Sequence, residues 1–200
     1  MSEVQVYTIV NDILQSCTYI LTKHNERDAF LIDCGNIESI ISYIEENNLN
    51  LEGVLLTHCH FDHIYGLKGL LLKYPRIKVY ASENTFLGLE DDDLSMSYLY
   101  SDDEYTLDIN KDQRVIVGGN DCFEVLNETV ECIPTPGHDV DCMTYVIGSA
   151  IFTGDSYNPN SPVFTKWRNS NVDMAKQNEM LLKEMIEYKH FSVYPGHRIN

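Results

Sequence analysis

The chain carries four potential metal ligands in one seven-residue stretch, Thr57-His58-Cys59-His60-Phe61-Asp62-His63. An apolar run at residues 53–56 precedes the stretch and predicts a buried strand, whereas the apolar spacing of residues 64–72 predicts a helix after it. The potential ligands are therefore expected on the loop that joins this strand to this helix.

The spacing within the stretch indicates how these side chains are shared. His58 and His60 are two residues apart, so in an extended segment both imidazoles project to the same side and can reach one ion. Asp62 and His63 follow where the chain turns, and are expected to point elsewhere. Because one ion cannot readily use all four side chains of so tight a loop, the stretch favours two adjacent metal ions. The alternative is a polar loop that is rich in histidine by chance.

The totals of the sequence limit the class of protein. Its 200 residues, 44% of them hydrophobic, suit a single domain over residues 1–200 with a core between two layers. The net charge of −17 argues against a general affinity for nucleic acid or an anionic membrane. A small-molecule substrate is favoured instead.

The start of the chain and its cysteines bear on location. The first residues lack the basic and apolar regions of a signal peptide, and no run approaches the length of a membrane span. The six cysteines are scattered without C-x-x-C pairs, which favours free buried thiols in a reducing compartment. We therefore expect a cytoplasmic protein.

Hydrophobic periodicity predicts the order of the elements. Two antiparallel meanders are expected, at residues 4–10, 17–23 and 29–32, and at residues 115–117, 122–126 and 130–133. Further strands are expected at residues 77–80, 143–147, 150–153 and 191–194, the middle two as a hairpin, and helices at residues 37–46, 82–89 and 174–188. The methionines of the last helix are interpreted as core packing.

Three later turns place further polar residues directly after predicted strands. They are Thr135-Pro136-Gly137-His138-Asp139, Gly154-Asp155 and Pro195-Gly196-His197. A histidine that follows a Pro-Gly turn is poorly placed for a core and well placed at the rim of a sheet. Asp33, at the end of the third strand, is interpreted as a metal ligand or as a helix cap or loop acceptor.

Two surface segments carry alternative interpretations. Residues 90–104 interleave acidic residues with tyrosines, and a solvated acidic face is the default, with a mobile lid over a pocket as the alternative. Lys166 and Arg168 flank Trp167 in an otherwise acidic protein. They would either contact an anionic part of the substrate or pair with nearby carboxylates at the surface.

The four motifs T-H-C-H-F-D-H, T-P-G-H-D, F-T-G-D-S and Y-P-G-H occur in this order, each at a predicted strand end. Together they make the chain resemble the metallo-β-lactamase superfamily of metal-dependent hydrolases. The resemblance implies an α+β fold, an αβ/βα four-layer sandwich of two mixed β-sheets with outer helices. By ligand set the hydroxyacylglutathione hydrolases are nearest.

The resemblance also implies a ligand set for two metal ions. The first ion would bind His58, His60 and His138, the second Asp62, His63 and His197, with Asp155 bridging both. Zinc is expected, since imidazole and carboxylate suit it, although iron or manganese accept the same ligands. Asp62 would also act in catalysis, orienting the attacking water or moving its proton.

The activity implied is hydrolysis of a small-molecule ester, thioester, lactone or phosphoester through a metal-bridging hydroxide. The histidine at position 60 departs from the dinuclear redox members, and the histidine at position 63 disfavours the commonest lactamase branches. The alternative is a mononuclear iron enzyme like the persulfide dioxygenases, which would need only His58, His138 and Asp155. The sequence makes no prediction of the oligomeric state.

Overall fold

The computed structural model describes residues 3–101, 105–119 and 121–198 of the chain. Its strands are β1 Val4–Val10, β2 Cys17–Lys23, β3 Asp28–Ile32, β4 Asn50–Leu55, β5 Lys78–Ala81, β6 Arg114–Ile116, β7 Cys122–Val125, β8 Glu128–Pro134, β9 Met143–Ile147, β10 Ala150–Gly154 and β11 Ser192–Pro195. Its helices are α1 Ile37–Glu46, α2 Phe61–Ile64, α3 Leu67–Lys73, α4 Glu83–Leu89, α5 Asp92–Ser95 and α6 Val172–Lys189, with a short 3₁₀ turn at Ser97–Leu99.

The described strands form two sheets. In the first sheet β1 to β6 lie side by side in chain order, and in the second the order is β11-β10-β9-β8-β7. The antiparallel pairing of β1, β2 and β3 confirms the first predicted meander, and β9 and β10 form the predicted hairpin. Strands β3 to β6 run parallel, and β10 pairs parallel with β11. Both sheets are therefore mixed.

The second predicted meander is wrong in its first strand. β6 pairs parallel with β5 in the first sheet, in the register Val79↔Arg114, and only β7 and β8 pair antiparallel. A parallel neighbour needs a crossover connection, and the segment that contains α4 and α5 provides it. A three-residue apolar run carries no information about which sheet it joins.

The helix predicted over residues 64–72 is also different. The structure has two helices, and the first, α2, already begins at Phe61. Asp62 and His63 therefore lie in a helical turn, while His58 and His60 remain on the loop after β4. This separates the two pairs of predicted ligands, as their spacing indicated.

The core has three layers of apolar contact, because strand side chains alternate between the two faces of each sheet. In β2, Ile20 packs with helices α1, α3 and α4 outside the first sheet, whereas Leu21 packs between the two sheets. Outside the second sheet, Leu182 of α6 packs on Ile151 of β10. The layers thus run helix, sheet, sheet, helix, which confirms the predicted αβ/βα sandwich.

The methionines of α6 do not pack as predicted. Met174 and Met180 are 40% and 64% exposed, whereas Ala175 and Leu182 are buried. Leu182 and the half-buried Ile186 pack against the second sheet, and Ala175 lies against Gly137, whereas Met174 and Met180 fall beside these contacts. The helical period of an outer helix does not predict how many of its residues contact the sheet.

All six cysteines are free thiols, five of them buried and Cys122 exposed. Among the helices that the structure describes, none is both long and apolar enough to cross a lipid bilayer. The division of the chain into one domain stays a prediction.

Candidate metal centre

The seven predicted ligands come together at one rim of the sandwich. β8 and β10 are both antiparallel to β9, so they run in the same direction, and β11 is parallel to β10. Their carboxyl ends, and the residues that follow them, therefore share one edge of the second sheet. The turn after β4 in the first sheet lies against this edge, since Met143 donates its N–H to the Thr57 carbonyl at 2.8 Å. The residues brought together are His58, His60, Asp62, His63, His138, Asp155 and His197.

Gly154 allows the two sheets to approach so closely. Its φ is +49°, a conformation that L side chains rarely adopt, and a Cβ there would lie 2.8 Å from Thr57. A side chain at this position would push Asp155 away from the loop that carries His58 and His60.

The inner cluster consists of His58, His60 and His138. All three are at most 3% exposed, and the Nδ1 of His60 lies 2.9 Å from the Nε2 of His138. One nitrogen from each ring fits within a mutual distance of 4.8 Å. Three imidazoles in this arrangement can surround one divalent ion.

The outer cluster consists of Asp62, His63 and His197. The Oδ2 of Asp62 lies 3.4 Å from the Nε2 of His63 and 3.3 Å from the Nε2 of His197. The two histidine Nε2 atoms are 3.2 Å apart. This group can surround a second ion with two nitrogens and one carboxylate oxygen.

Asp155 touches both clusters with one carboxylate. Its Oδ2 lies 3.4 Å from the Nε2 of His138 and 3.2 Å from the Nε2 of His197. Its Oδ1 lies 3.5 Å from the Nε2 of His63. It therefore stands where a ligand shared by two ions would stand.

Unpaired polar atoms show that the residues fit a divalent ion. His58 Nε2, Asp62 Oδ2 and Asp155 Oδ1 are buried and make no hydrogen bond among the described residues, although the two carboxylate oxygens lie 3.3–3.5 Å from imidazole nitrogens of the outer cluster. A buried polar atom without a partner costs about 1–3 kcal/mol, so such atoms are rare unless something else satisfies them. An imidazole nitrogen and carboxylate oxygens are ligand types that zinc, iron and manganese accept.

The electrostatics of the inner cluster favour neutral imidazoles. Burial, together with His63 and His60, lowers the pKa of His58 well below its ordinary value. Burial also lowers the pKa of His138, although Asp155 opposes the shift. Neutral imidazole is the form that binds metal.

The outer cluster has the opposite electrostatics. Burial alone would lower the pKa of His63, but Asp62 and Asp155 outweigh it and raise that pKa well above the ordinary value. Burial alone would also lower the pKa of His197, but Asp155 outweighs this effect and raises that pKa. Burial would raise the pKa of Asp155, but the imidazoles, His197 first, hold it well below the ordinary value. The outer cluster is thus a charged network.

Asp33 orients His63 of the outer cluster through the ring nitrogen that does not face the cluster. Its Oδ2 lies 2.9 Å from the Nδ1 of His63, and its two oxygens accept hydrogen bonds from the N–H and the hydroxyl of Thr57, both at 2.8 Å. Of the two interpretations of Asp33 from the sequence, these contacts fit the loop acceptor. They leave the Nε2 of His63 facing the cluster.

Sequence reasoning missed two carboxylates beside the inner cluster. The Oδ2 of Asp139 lies 3.1 Å from the Nε2 of His60, so the Nδ1 of that ring faces His138. Asp141 accepts the backbone N–H of Cys59 at 2.8 Å. The signal was present, since Asp139 directly follows the predicted ligand His138, Asp141 lies three residues after it, and carboxylates that orient ligating histidines are common.

A cavity of about 280 Å³ opens over the two clusters. Apart from the cluster residues, most of its wall is apolar. The apolar side chains are Leu14, Phe61, Met96, Tyr100, Pro162, Val163, Phe164 and Trp167. Met96 and Tyr100 come from the segment predicted to be an acidic face or a lid, whose residues 102–104 lie outside the described residues. The lid itself stays a prediction.

Lys166 and Arg168 lie apart from this wall. Both are exposed, and neither is among the described residues that line the cavity, whereas Trp167 between them is half-buried and lines it. Their role in substrate binding stays a prediction.

The chain is similar to known proteins in both sequence and fold. A family described as the metallo-beta-lactamase superfamily matches residues 11–197. Hydroxyacylglutathione hydrolases of Buchnera aphidicola subsp. Baizongia pistaciae and of Hydrogenovibrio crunogenus are 33% and 30% identical over 66% and 90% of this chain. The matches span 44% and 58% of those relatives, so the chain covers about half of their length. A probable metallo-hydrolase of Streptococcus pyogenes is 28% identical over 96% of this chain and 83% of its own.

Solved structures share the fold. BLEG-1, a B3 metallo-beta-lactamase, superposes with a TM-score of 0.83 at 22% identity, over 98% of this chain and 92% of its own. TTHA1623, solved in a di-iron-bound form, superposes with a TM-score of 0.77 at 20% identity, over 97% and 93% of the two chains. At such identities the likeness concerns the fold alone.

Proposed function

The chain belongs to the metallo-beta-lactamase superfamily, and from that premise we propose that it is a hydrolase that uses two metal ions. Its substrate would be a small-molecule ester, thioester, lactone or phosphoester. Zinc is the metal we propose, with iron or manganese as substitutes, because a mixed set of imidazoles and carboxylates suits all three. We also propose that the protein acts in the cytoplasm.

The observation that carries the proposal is the pair of three-residue clusters joined by Asp155. Its carboxylate lies 3.4 Å from the inner cluster at His138 and 3.2 Å from the outer cluster at His197. Two ions held this way would lower the pKa of a bound water toward about 7 and so supply a nucleophile at neutral pH. The unpaired atoms of His58, Asp62 and Asp155 support this use of the site.

Asp62 is the protein group that we propose for proton handling. Its Oδ2 is buried without a hydrogen-bond partner among the described residues, and it lies on the wall of the cavity. A carboxylate at the substrate side of the site can orient a water and accept its proton. The names of the relatives support the reaction class, since a hydroxyacylglutathione hydrolase cleaves a thioester of a small molecule.

Metal content and turnover test the proposal together. Protein purified without added metal should contain close to two equivalents by elemental analysis. Metal-loaded protein should hydrolyse at least one member of a panel of model esters, thioesters, lactones and phosphodiesters. His58→Ala should lose one ion and abolish turnover, because its unpaired Nε2 belongs to the inner cluster. His24→Ala is the matched control, because His24 is exposed; full activity in His58→Ala would overturn the proposal.

A mononuclear iron enzyme that oxidises a persulfide is the second candidate. The residues it would need also converge by themselves, since the Nε2 of His138 lies 3.4 Å from Asp155 Oδ2, and His58 stands in the same cluster as His138. It predicts one equivalent of iron and consumption of oxygen with a persulfide substrate. A protein with two ions and no oxygen consumption would exclude it.

A further inference from the structure

The wall of the cavity carries information about the substrate that the metal clusters do not. Apart from the cluster residues, the described side chains on the wall are apolar or neutral, with Asn158 and Ser161 as the polar ones. Lys and Arg are absent from the described residues that line the cavity. Away from the clusters, the described part of the wall therefore carries no formal charge.

Trp167 is the central element of this wall. Its ring centroid lies 6.3 Å from that of His60 and 5.1 Å from that of Phe164. An indole and a phenyl ring beside the inner cluster offer a flat apolar surface to a group that enters the site. Aromatic side chains of this size contribute large buried area and favourable ring contacts.

The loop that presents Trp167 also orients a predicted ligand. The Nδ1 of His138 donates to the Phe164 carbonyl at 2.8 Å, and the Ser170 hydroxyl donates to the His138 carbonyl at 2.7 Å. Ser170 in turn donates its N–H to the Trp167 carbonyl at 3.2 Å. These bonds connect the loop that carries the apolar wall to the inner cluster, which positions a bound group relative to the reacting centre.

A second apolar surface comes from the start of α2. Phe61, between the two cluster residues His60 and Asp62, stacks on Tyr100 with centroids 6.1 Å apart and planes at 16°. Met96 adds to the same wall. An apolar group would thus be enclosed by side chains from several elements.

An anionic group would be poorly accommodated by the same wall. Moving a charge out of water is costly unless a counter-charge pairs with it, and the described wall away from the clusters offers none. The net charge of −17 would also slow the approach of an anion. Resting on the proposed hydrolase function, we infer that the substrate is an uncharged ester, thioester or lactone whose apolar acyl or aryl group packs against Trp167 and Phe164. This differs from the hydroxyacylglutathione that the names of the relatives indicate for those proteins. It also differs from the sequence prediction that Lys166 and Arg168 contact an anionic part of the substrate.

Two matched esters test the inference by turnover. Phenyl hexanoate and the monophenyl ester of adipic acid share a leaving group and differ at the far end of the acyl chain, which is a methyl group in one and a carboxylate in the other. We expect kcat/KM to be at least about 10-fold higher for the neutral ester, and Trp167→Ala to remove most of that preference through KM. Tyr188→Ala is the matched control, since Tyr188 is an aromatic residue 81% exposed on α6. Equal or faster turnover of the adipate ester, or of a hydroxyacylglutathione, would overturn the inference.

A binding measurement separates this inference from the hydrolase proposal. The sequence contains a single tryptophan, Trp167, so intrinsic fluorescence reports directly on this wall. Titration with N-phenylhexanamide, which resists hydrolysis, should quench or shift the emission at concentrations at least 10-fold lower than its adipate counterpart. Phe164→Ala should weaken that binding. If the protein hydrolyses no member of the panel of esters, thioesters, lactones and phosphodiesters, the proposed function fails. This titration then still supports the apolar site or, with equal affinities, overturns it.

Discussion

The two clusters of the candidate metal centre lie side by side, yet their surroundings differ. Every side chain of the inner cluster is an imidazole that is at most 3% exposed. The outer cluster includes a carboxylate, and the side chain of His197 is 21% exposed. Burial lowers the pKa of His58 in the inner cluster, whereas carboxylates raise the pKa of His63 in the outer one.

This difference indicates a division of tasks. Three neutral imidazoles add no negative charge of their own to a bound ion, so only the shared Asp155 would offset its charge, which suits polarisation of a carbonyl or phosphoryl oxygen. The outer cluster offers negative ligands, Asp62 and the shared Asp155, which would partly offset the charge of its ion. We therefore expect the two halves to respond differently to matched substitutions.

The largest effect is expected from removing the outer cluster. The double variant His63→Ala/His197→Ala should retain about one metal equivalent and lose roughly a thousandfold in kcat/KM, because losing several kcal/mol of charge stabilisation costs tenfold for every ~1.36 kcal/mol. Elemental analysis and steady-state kinetics on the same preparation measure both quantities.

A matched double variant controls for the loss of two histidines. His24 and His190 are both exposed, so His24→Ala/His190→Ala should keep two metal equivalents and full activity. Undiminished turnover in the outer-cluster variant, with one bound ion, would instead favour the mononuclear enzyme that needs only His58, His138 and Asp155.

A smaller loss of metal affinity is expected from changing the carboxylate that contacts a histidine of each cluster, Asp139 at the inner cluster and Asp33 at the outer one. Asp139→Ala removes the partner of His60 Nε2 at 3.1 Å and should weaken the inner ion about 10- to 100-fold. Asp139→Asn should lie between wild type and alanine, because its amide oxygen still accepts from the ring but lacks the charge. Competition against a chromophoric chelator measures the affinity of each ion.

Asp33→Asn is the counterpart at the outer cluster. It should weaken the outer ion, since Asp33 contacts His63 Nδ1 at 2.9 Å, and it should also lower thermal stability through its contacts with Thr57. For the inner cluster, unchanged affinities of both metal ions in Asp139→Ala would show that the contact of Asp139 with His60 only packs the ring and does not orient it.

The parts of the site predictable from the sequence were those set by local order along the chain. The spacing of His58, His60, Asp62 and His63, and the placing of His138 and His197 after Pro-Gly turns, depends on the few residues around each of them. Strand ends at one rim then bring distant residues together, whereas the two mixed sheets were implied by the resemblance of the four motifs to a known family. The bounds of β1, β2, α1 and β9 match the predicted ranges for the same local reason.

The parts that could not be predicted depend on contacts between elements. β6 is too short for its pattern to choose a sheet, and the exposure of Met180 follows from the narrow contact of α6 with β10. Asp139 contacts His60 only because two turns from different sheets meet, and Trp167 lines the cavity while its neighbours Lys166 and Arg168 do not. The sequence of a turn does not predict where its side chains point.

The smallest expected effect concerns a helix, α4, that contacts the loop between two residues of the inner cluster. Gly88 of α4 lies against Cys59, the residue between His58 and His60, and a Cβ there would meet the Cys59 Sγ at 2.3 Å. Gly88→Ala should therefore cost about 1–3 kcal/mol of stability through overpacking and weaken the binding of the inner ion.

Gly69→Ala in α3 is the matched control, because its Cβ would make only ordinary contact with Ile37 at 3.4 Å. It should stabilise by about 0.4–1 kcal/mol through a less flexible unfolded chain. Thermal unfolding with and without metal measures both, and a Gly88→Ala variant as stable and as well loaded as Gly69→Ala would show that the inner cluster does not depend on this contact.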